Sequence, residues 1–122
     1  KEQRDMTGAI ERAMAVIAFN LKGEVLMAND KFVKTMGYRA NEVVGVHHSQ
    51  FCPVEMRNSE AYRRFCHKLN QGEYISGQFE RVNKQGRTVW LRATYNPVFN
   101  EAGELYKVVK FATDVTAQVE KN

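Results

Sequence analysis

Five side chains in this sequence have the chemistry to bind a transition metal: His47, His48, Cys52, Cys66 and His67. His48 and Cys52 are four residues apart, a spacing that would place both side chains on one face of a helix. A structural zinc site needs four ligands with a turn between the paired ones, and Pro53 and the long gap to Cys66 disrupt that arrangement. We therefore expect no metal-ion site.

Catalysis needs a nucleophile beside a base or a pair of carboxylates, and the sequence assembles neither, so we do not expect an enzyme. The net charge of +4 is spread along the chain, and Arg63, Arg64 and Lys68 belong to the solvated face of one predicted helix. Nucleic-acid binding is therefore not expected. Two cysteines without Cys-x-x-Cys spacing favour a reducing, cytoplasmic location.

No apolar run approaches the ~18 to 20 residues that span a bilayer, so we expect no direct membrane contact from this segment. The charged start of the chain, residues 1–5, is not followed by the apolar core of a signal peptide. The first residue is Lys, not Met, so we expect the chain to be a piece of a longer protein, and a membrane-associated parent receptor stays open. Its 122 residues, 43% of them apolar, fit one compact domain.

Hydrophobic periodicity divides the chain into helices and strands. Met6, Ile10 and Met14 form a narrow apolar stripe at helical spacing, which predicts an amphipathic helix over residues 1–14. Asn29 or the residue after it can cap a short helix that Gly37 ends. Further helices are predicted over residues 38–44 and 59–70, and strands over residues 15–20, 24–28, 74–82, 88–98 and 105–112. This order predicts an α+β domain in which short helices cover one face of a five-stranded antiparallel sheet.

The two-residue period of the strands assigns side chains to the two faces of the sheet. Leu91 and Ala93 are predicted to face the helices, and Gly77 and Arg81 share the corresponding face of the preceding strand. Gly77 and Ala93 leave space there, which predicts a ligand pocket, although the glycine can equally mark a bulge. An inward Arg81 would need a carboxylate from the protein or from a small organic acid; otherwise it extends to solvent.

Several short segments, in this order and spacing, resemble a PAS domain, the sensory module of many bacterial signalling proteins. They are residues 29–32 (NDKF), 36–38 (MGY), 42–45 (EVVG), 83–90, 95–98 (YNPV) and 114–116 (DVT). The resemblance extends over residues 15–116 and leaves residues 117–122 as the start of an output or linker helix. The stretch from Phe79 to Asp114 is most similar to the PAS modules of methyl-accepting chemotaxis receptors.

The resemblance implies a non-catalytic regulatory module, in which a ligand, cofactor or redox change alters the sheet and the departing chain transmits that change. In the family an Asp-x-Thr joins the last strand to an output helix, a role that Asp114 and Thr116 would carry here. We further expect a homodimer through Met6, Ile10 and Met14, and the downstream signalling region of the same chain as a partner. A chemotaxis receptor is the expected parent; the alternative is the input domain of a histidine kinase or a cyclic-dinucleotide enzyme.

The resemblance leaves the cofactor open between haem, FAD and none. Haem-binding relatives take the axial histidine either from the segment of His47 and His48 or from the helix of His67. Light-sensing flavin relatives carry a reactive cysteine where this chain has His48, so a flavin adduct is not expected, whereas FAD without an adduct could contact Arg81. An empty pocket used for dimerisation is the remaining alternative. The candidate pocket residues are His47, His48, Arg81, Leu91 and Ala93.

Overall fold

The computed structural model describes residues 14–121 and has an antiparallel five-stranded sheet at its centre. The strands are β1 (Ala15–Phe19), β2 (Val25–Ala28), β3 (Ile75–Val82), β4 (Thr88–Phe99) and β5 (Leu105–Asp114). Their order in the sheet is β2-β1-β5-β4-β3, so that β3, β4 and β5 form a meander and β1 lies next to β5. The α+β class and the five-stranded antiparallel sheet are therefore confirmed.

Short helices occupy the stretch between β2 and β3. They are α1 (Asp30–Met36), α2 (Ala40–Val43), the 3-10 helix η1 (His48–Phe51), α3 (Val54–Arg57) and α4 (Glu60–Asn70), and α5 (Thr116–Lys121) follows β5. Neither η1 nor α3 was expected, because a single turn is too short to show a helical period. None of the helices within residues 14–121 is long and apolar enough to cross a membrane.

The amphipathic helix expected over residues 1–14 lies outside the described residues, apart from Met14. Met14 forms a bend directly before β1 and is half-buried. The predicted helix over residues 38–44 is shorter than expected, because α2 begins at Ala40 and ends at Val43. Met6 and Ile10 lie outside the described residues, so the apolar stripe that includes them stays a prediction.

Asn29 links α1 to β1. Its side-chain oxygen caps the helix by accepting a hydrogen bond of 2.9 Å from the Phe32 amide. The same oxygen accepts from the Val16 amide at 2.9 Å, and the side-chain nitrogen donates to the Met14 carbonyl at 2.9 Å. Gly37 ends the helix with a left-handed φ of 76°, as a C-terminal glycine does. The first helix is therefore positioned on the sheet by one polar side chain.

Replacing Asn29 with alanine is expected to lower the free energy of unfolding by about 1–2 kcal/mol, because the cap and both links to β1 are lost. Equilibrium urea denaturation measures this change. Asn41→Ala, at an exposed position of α2, is the control and is expected to change the stability by less than about 0.5 kcal/mol. Equal stability of the Asn29 variant and the unmodified chain would contradict this interpretation of Asn29.

The hydrophobic core lies between one face of the sheet and the helices α1, α2, η1 and α4. Ile17, Leu91 and Tyr95 from the sheet, with Phe32 and Met36 from α1, are at most 1% exposed. The inward direction of Leu91 follows the strand period that the sequence predicts. The side chains of this core pack against the buried polar side chains that are described below.

Candidate functional site

Four polar side chains are linked by hydrogen bonds in the interior between the sheet and α4, and we call them the polar cluster. Arg81, near the end of β3, donates a hydrogen bond of 2.9 Å from Nη2 to the Tyr95 hydroxyl. The Tyr95 hydroxyl lies 3.5 Å from His48 Nε2, and His48 Nδ1 lies 3.0 Å from the Tyr62 hydroxyl. These side chains come from β3, β4, η1 and α4, so that only the folded chain brings them together.

Arginine can only donate hydrogen bonds, so the Tyr95 oxygen accepts from Arg81 Nη2. A neutral imidazole donates from one ring nitrogen and accepts at the other, so His48 donates to one of its two tyrosine neighbours and accepts from the other. The same imidazole thus connects Tyr95 on the sheet with Tyr62 on α4.

Burial and neighbouring groups shift the pKa of each of these four side chains. Burial lowers the pKa of His48 well below 6.5, and the nearby Lys110 and Arg81 lower it further, so that the ring is neutral at pH 7. Burial raises the pKa of Tyr62, and it raises that of Tyr95 to about 12. Burial alone would lower the pKa of Arg81, but its interaction with Tyr95 raises that pKa on balance, so the guanidinium stays charged.

Aromatic rings enclose the imidazole of His48, which is 3% exposed. The ring centroids of Phe19, Tyr95, Tyr62 and Phe65 lie 4.9, 5.8, 6.0 and 6.2 Å from that of His48. Tyr62 and Phe65 are nearly parallel to the imidazole, at 5° and 14°, whereas Tyr95 meets it edge-on at 82°. This packing holds the imidazole with both nitrogens facing tyrosine hydroxyls.

Haem iron does not fit on His48 in this arrangement, because both ring nitrogens face tyrosine hydroxyls and packed rings surround the imidazole. His47 is exposed before η1, and its Nδ1 accepts a hydrogen bond from the Ser49 amide. His67 is exposed on α4. The three histidines proposed as axial ligands are therefore in different environments. Within residues 14–121 no group of three His, Cys, Asp or Glu side chains could hold a metal ion.

Two basic side chains lie in the interior, Arg81 at 2% exposure and Lys110 at 1%. Arg81 therefore does not extend to solvent. Lys110 projects inward from β5, with Nζ 5.1 Å from the centroid of the Tyr95 ring, and burial together with Arg81 lowers the pKa of Lys110 well below 10.5. No Asp or Glu is buried in the described part of the chain, which accordingly supplies no buried carboxylate to Arg81.

Two cavities lie beside the hydrogen-bonded side chains of Arg81, Tyr95, His48 and Tyr62. The side chains of Tyr62 and Phe65 line both cavities. The smaller, about 220 Å³, lies between the β1–β2 turn and α4, with His47 and His48 in its lining. The larger, about 540 Å³, follows the edge strand β3 and is lined by Arg81. We call the larger cavity the β3 groove.

Leu91 and Ala93 are buried on the inner face of the sheet and line neither of these cavities. A side chain added at Gly77 would meet the Phe79 ring at 3.5 Å. The Phe79 ring lies edge-on to the Tyr95 ring, with centroids 5.2 Å apart. The Phe79 ring thus lies in contact with the position of Gly77, and the larger of the two cavities lies at the edge of the sheet.

Asp114 and Thr116 join the start of α5 to β4. Asp114 Oδ1 accepts hydrogen bonds from the Thr116 amide, at 2.9 Å, and from the Thr116 hydroxyl, at 2.5 Å. The Thr116 hydroxyl oxygen accepts from the Trp90 amide at 2.9 Å, and the Val115 amide donates to the Trp90 carbonyl at 2.8 Å. The first turn of α5 is thereby hydrogen-bonded to the middle strand of the meander. We call this arrangement the β4–α5 junction.

Sequence reasoning identified neither the buried Lys110 nor Tyr62, whose hydroxyl lies beside His48. The strand period contained a signal for Lys110, because Val108 and Ala112 on either side of it are buried on the inner face. The period was not applied to β5, so Lys110 was assigned to neither face, although lysine is rarely buried without a partner. Tyr62 belongs to the apolar stripe of α4, and its hydroxyl gains significance only from its distance to His48.

The chain matches the family model of the PAS domain over residues 13–117. It is 47% identical over 120 residues to the biofilm dispersion protein BdlA of Pseudomonas aeruginosa, a match that covers 98% of this chain and 29% of that protein. A PAS domain from Colwellia psychrerythraea has a TM-score of 0.80 at 16% identity, covering 96% of this chain and 99% of that one. An RNA-binding light-oxygen-voltage receptor has a TM-score of 0.82 at 21% identity, covering 98% of this chain and 35% of that one. Both solved structures share the fold described above.

Proposed function

Because this chain belongs to the PAS domain family, we propose that it is the sensory module of a bacterial chemotaxis-type receptor and performs no catalysis itself. The 47% identity to a biofilm dispersion protein supports a pathway that controls whether bacteria move or settle. This chain spans 29% of that relative's length, and the proposal assigns the output to other parts of the parent protein. The observation that carries the proposal is the β4–α5 junction.

The β4–α5 junction offers the sheet a direct route to the outgoing helix. Both backbone groups of Trp90 bond to the start of α5, the amide to the Thr116 hydroxyl and the carbonyl to the Val115 amide. Trp90 also lines the β3 groove. A ligand that reshapes this groove would therefore displace β4 and, through these bonds, the direction in which α5 leaves the domain.

The proposal includes a homodimer in the cytoplasm and a downstream partner within the same polypeptide. Met6, Ile10 and Met14 remain the proposed dimer contacts, and Met14 is half-buried directly before β1. Residues 117–122 would begin the helix that continues into the signalling region of the parent. In a dimer, the two copies of α5 could transmit a change in sheet geometry as a change in their relative orientation.

Replacing Thr116 with valine in the parent protein is expected to weaken the signalling response about fivefold. Valine cannot accept the hydrogen bond of the Trp90 amide, which is worth about 1 kcal/mol of coupling, and the bond of the Thr116 hydroxyl to Asp114 is lost as well. The response is measured as biofilm release or swimming-reversal frequency in a strain that lacks its own copy. Thr113→Val, exposed on β5, is the matched control. Amide hydrogen exchange in α5 reports the loss of the junction directly. A normal response despite faster exchange in α5 would refute coupling through Thr116.

The sequence that follows residue 122 in the parent protein distinguishes a chemotaxis-type receptor from an enzyme with this chain as its input domain. A receptor signalling region is a coiled coil, so a long helix with a heptad pattern is expected there. Motifs of a histidine kinase or a cyclic-dinucleotide enzyme in that region would instead make this chain the input domain of an enzyme.

A further inference from the structure

We propose that the β3 groove binds a small apolar monocarboxylate, whose carboxylate is held by Arg81. The proposal names a ligand for the sensory role proposed above and rests on that role for its biological meaning. Its test measures binding alone, so that the ligand and the signalling role can fail independently.

The first observation is an interior with basic side chains and no acid. The buried polar and charged residues of the described part of the chain are His48, Arg81 and Lys110. Arginine keeps its positive charge in proteins, and a buried cation without an anion is strongly unfavourable. A bound carboxylate would therefore supply the charge that the described residues do not.

The second observation is an incompletely satisfied guanidinium. Arg81 Nη2 donates to the Tyr95 hydroxyl, and Nη1 donates to the Glu80 backbone carbonyl at 2.8 Å and lies 3.8 Å from the Met56 sulfur. Arg81 Nε is buried and has no hydrogen-bond partner within residues 14–121. Each of these acceptors is neutral, so the side chain has both a free donor and an uncompensated charge. Charge-assisted bonds to a carboxylate are the strongest that a guanidinium forms.

The third observation is the shape and lining of the β3 groove. Its volume of about 540 Å³ lies within the range of ligand pockets, which is roughly 300–1,000 Å³. Met56, Tyr62, Phe65 and Phe79 form its apolar wall, and among the described residues Arg81 contributes the single basic side chain of its lining. A ligand that fits this surface combines an apolar body with one acidic group.

Two acidic residues restrict the charge of this ligand. Glu55 and Glu80 also line the β3 groove, and both are less buried than Arg81. Their carboxylates would repel a second negative charge on the ligand, which the single guanidinium of Arg81 would not compensate. The groove is therefore expected to prefer a monocarboxylate over a dicarboxylate.

Isothermal titration of the whole chain with octanoate, 1-octanol and succinate tests the proposal. Octanoate is expected to bind saturably with a Kd below about 1 mM, and 1-octanol and succinate are each expected to bind at least about tenfold more weakly. Arg81→Gln is expected to weaken octanoate binding by about tenfold or more, whereas Arg87→Gln, an exposed arginine on the following turn, should leave it unchanged.

A second measurement keeps the test valid if Arg81→Gln does not fold. In the unmodified chain, octanoate is expected to shift the NMR signal of the Arg81 Nε–H, and 1-octanol is not. The absence of saturable octanoate binding, or binding that leaves this signal in place, would overturn the proposal. Equal affinity for 1-octanol would overturn recognition of the carboxylate, and equal affinity for succinate would overturn the preference for one charge.

Discussion

Replacing Lys110 with methionine is expected to stabilise the domain at pH 7 by about 1–3 kcal/mol, the free energy that an unpaired buried polar group costs. Lys110 is 1% exposed, and within residues 14–121 its ammonium nitrogen has no hydrogen bond or ion pair, only the face of the Tyr95 ring. Methionine has a similar length and fills the same space with an apolar chain. Thermal and urea denaturation measure the change.

The pH dependence provides an independent measurement of the same residue. In the unfolded chain the lysine titrates near 10.5, whereas burial and the nearby Arg81 lower the pKa of Lys110 in the folded state well below that value. Between these two pKa values the unfolded chain binds more protons, so its free energy falls relative to the folded state as the pH decreases. The stability of the unmodified domain is therefore expected to rise toward pH 10.5, and the methionine variant should lack this part of the rise.

Lys107→Met is the control, because Lys107 lies on the same strand with its ammonium over the Tyr106 ring and is only half-buried. Its replacement is expected to change the stability by less than about 0.5 kcal/mol and to leave the pH profile unchanged. A destabilised Lys110→Met variant would contradict the prediction and would mean that the favourable contacts of the ammonium, such as that with the Tyr95 ring, outweigh the cost of its burial.

Replacing His48 with alanine is expected to lower the free energy of unfolding by about 3–5 kcal/mol, since a cavity forms among packed aromatic rings and the Tyr62 and Tyr95 hydroxyls each lose one hydrogen-bond partner. His48→Phe retains most of the packing and loses only the polar contacts, so a loss of about 1–3 kcal/mol is expected. His67→Ala, exposed on α4, is the control and is expected to be neutral. Urea denaturation of the three variants measures these differences.

Acid pH should weaken the domain through the same histidine. The unfolded imidazole has a pKa near 6.5, and burial lowers the pKa of His48 well below this in the folded state. Below pH 6.5 the unfolded chain binds the proton first, so stability is expected to fall until the pH reaches the folded pKa. His48→Phe should remove this slope. An unchanged slope in the phenylalanine variant, or an Ala variant as stable as the control, would show that His48 is not the enclosed neutral ring described here.

The order of elements could be predicted from the sequence because it depends on local patterns. The alternation of apolar residues over residues 88–98 predicted β4, and the spacing of apolar residues over 59–70 predicted α4, since each pattern matches the period of one backbone conformation. Asn29 and Gly37 marked the ends of α1 because capping is a contact between near neighbours. The one-turn segments η1 and α3 were missed for the same reason, as they contain no full period.

The candidate site could be predicted only in part. The strand period together with the charge of Arg81 indicated a residue that would need a carboxylate, and this residue is indeed buried at 2% exposure. The position of the opening was different from the expectation: Leu91 and Ala93 line neither cavity, and the Phe79 ring from the same strand lies against Gly77. The backbone turn of η1 also decides which histidine is enclosed. His47 and His48 are adjacent in the sequence, yet His47 is exposed and His48 is buried.

The sequence by itself determined the fold class and the sheet strands, since local periodicity is sufficient for these, and the resemblance to a known family pointed to the Asp-x-Thr segment at the end of β5. Only the tertiary structure decided that Arg81, Tyr95, His48 and Tyr62 form one hydrogen-bonded chain. The physical reason is that hydrogen bonds and burial depend on distances of a few ångströms between residues from four elements. Such distances are set by the packing of the whole domain, and no short stretch of sequence contains them.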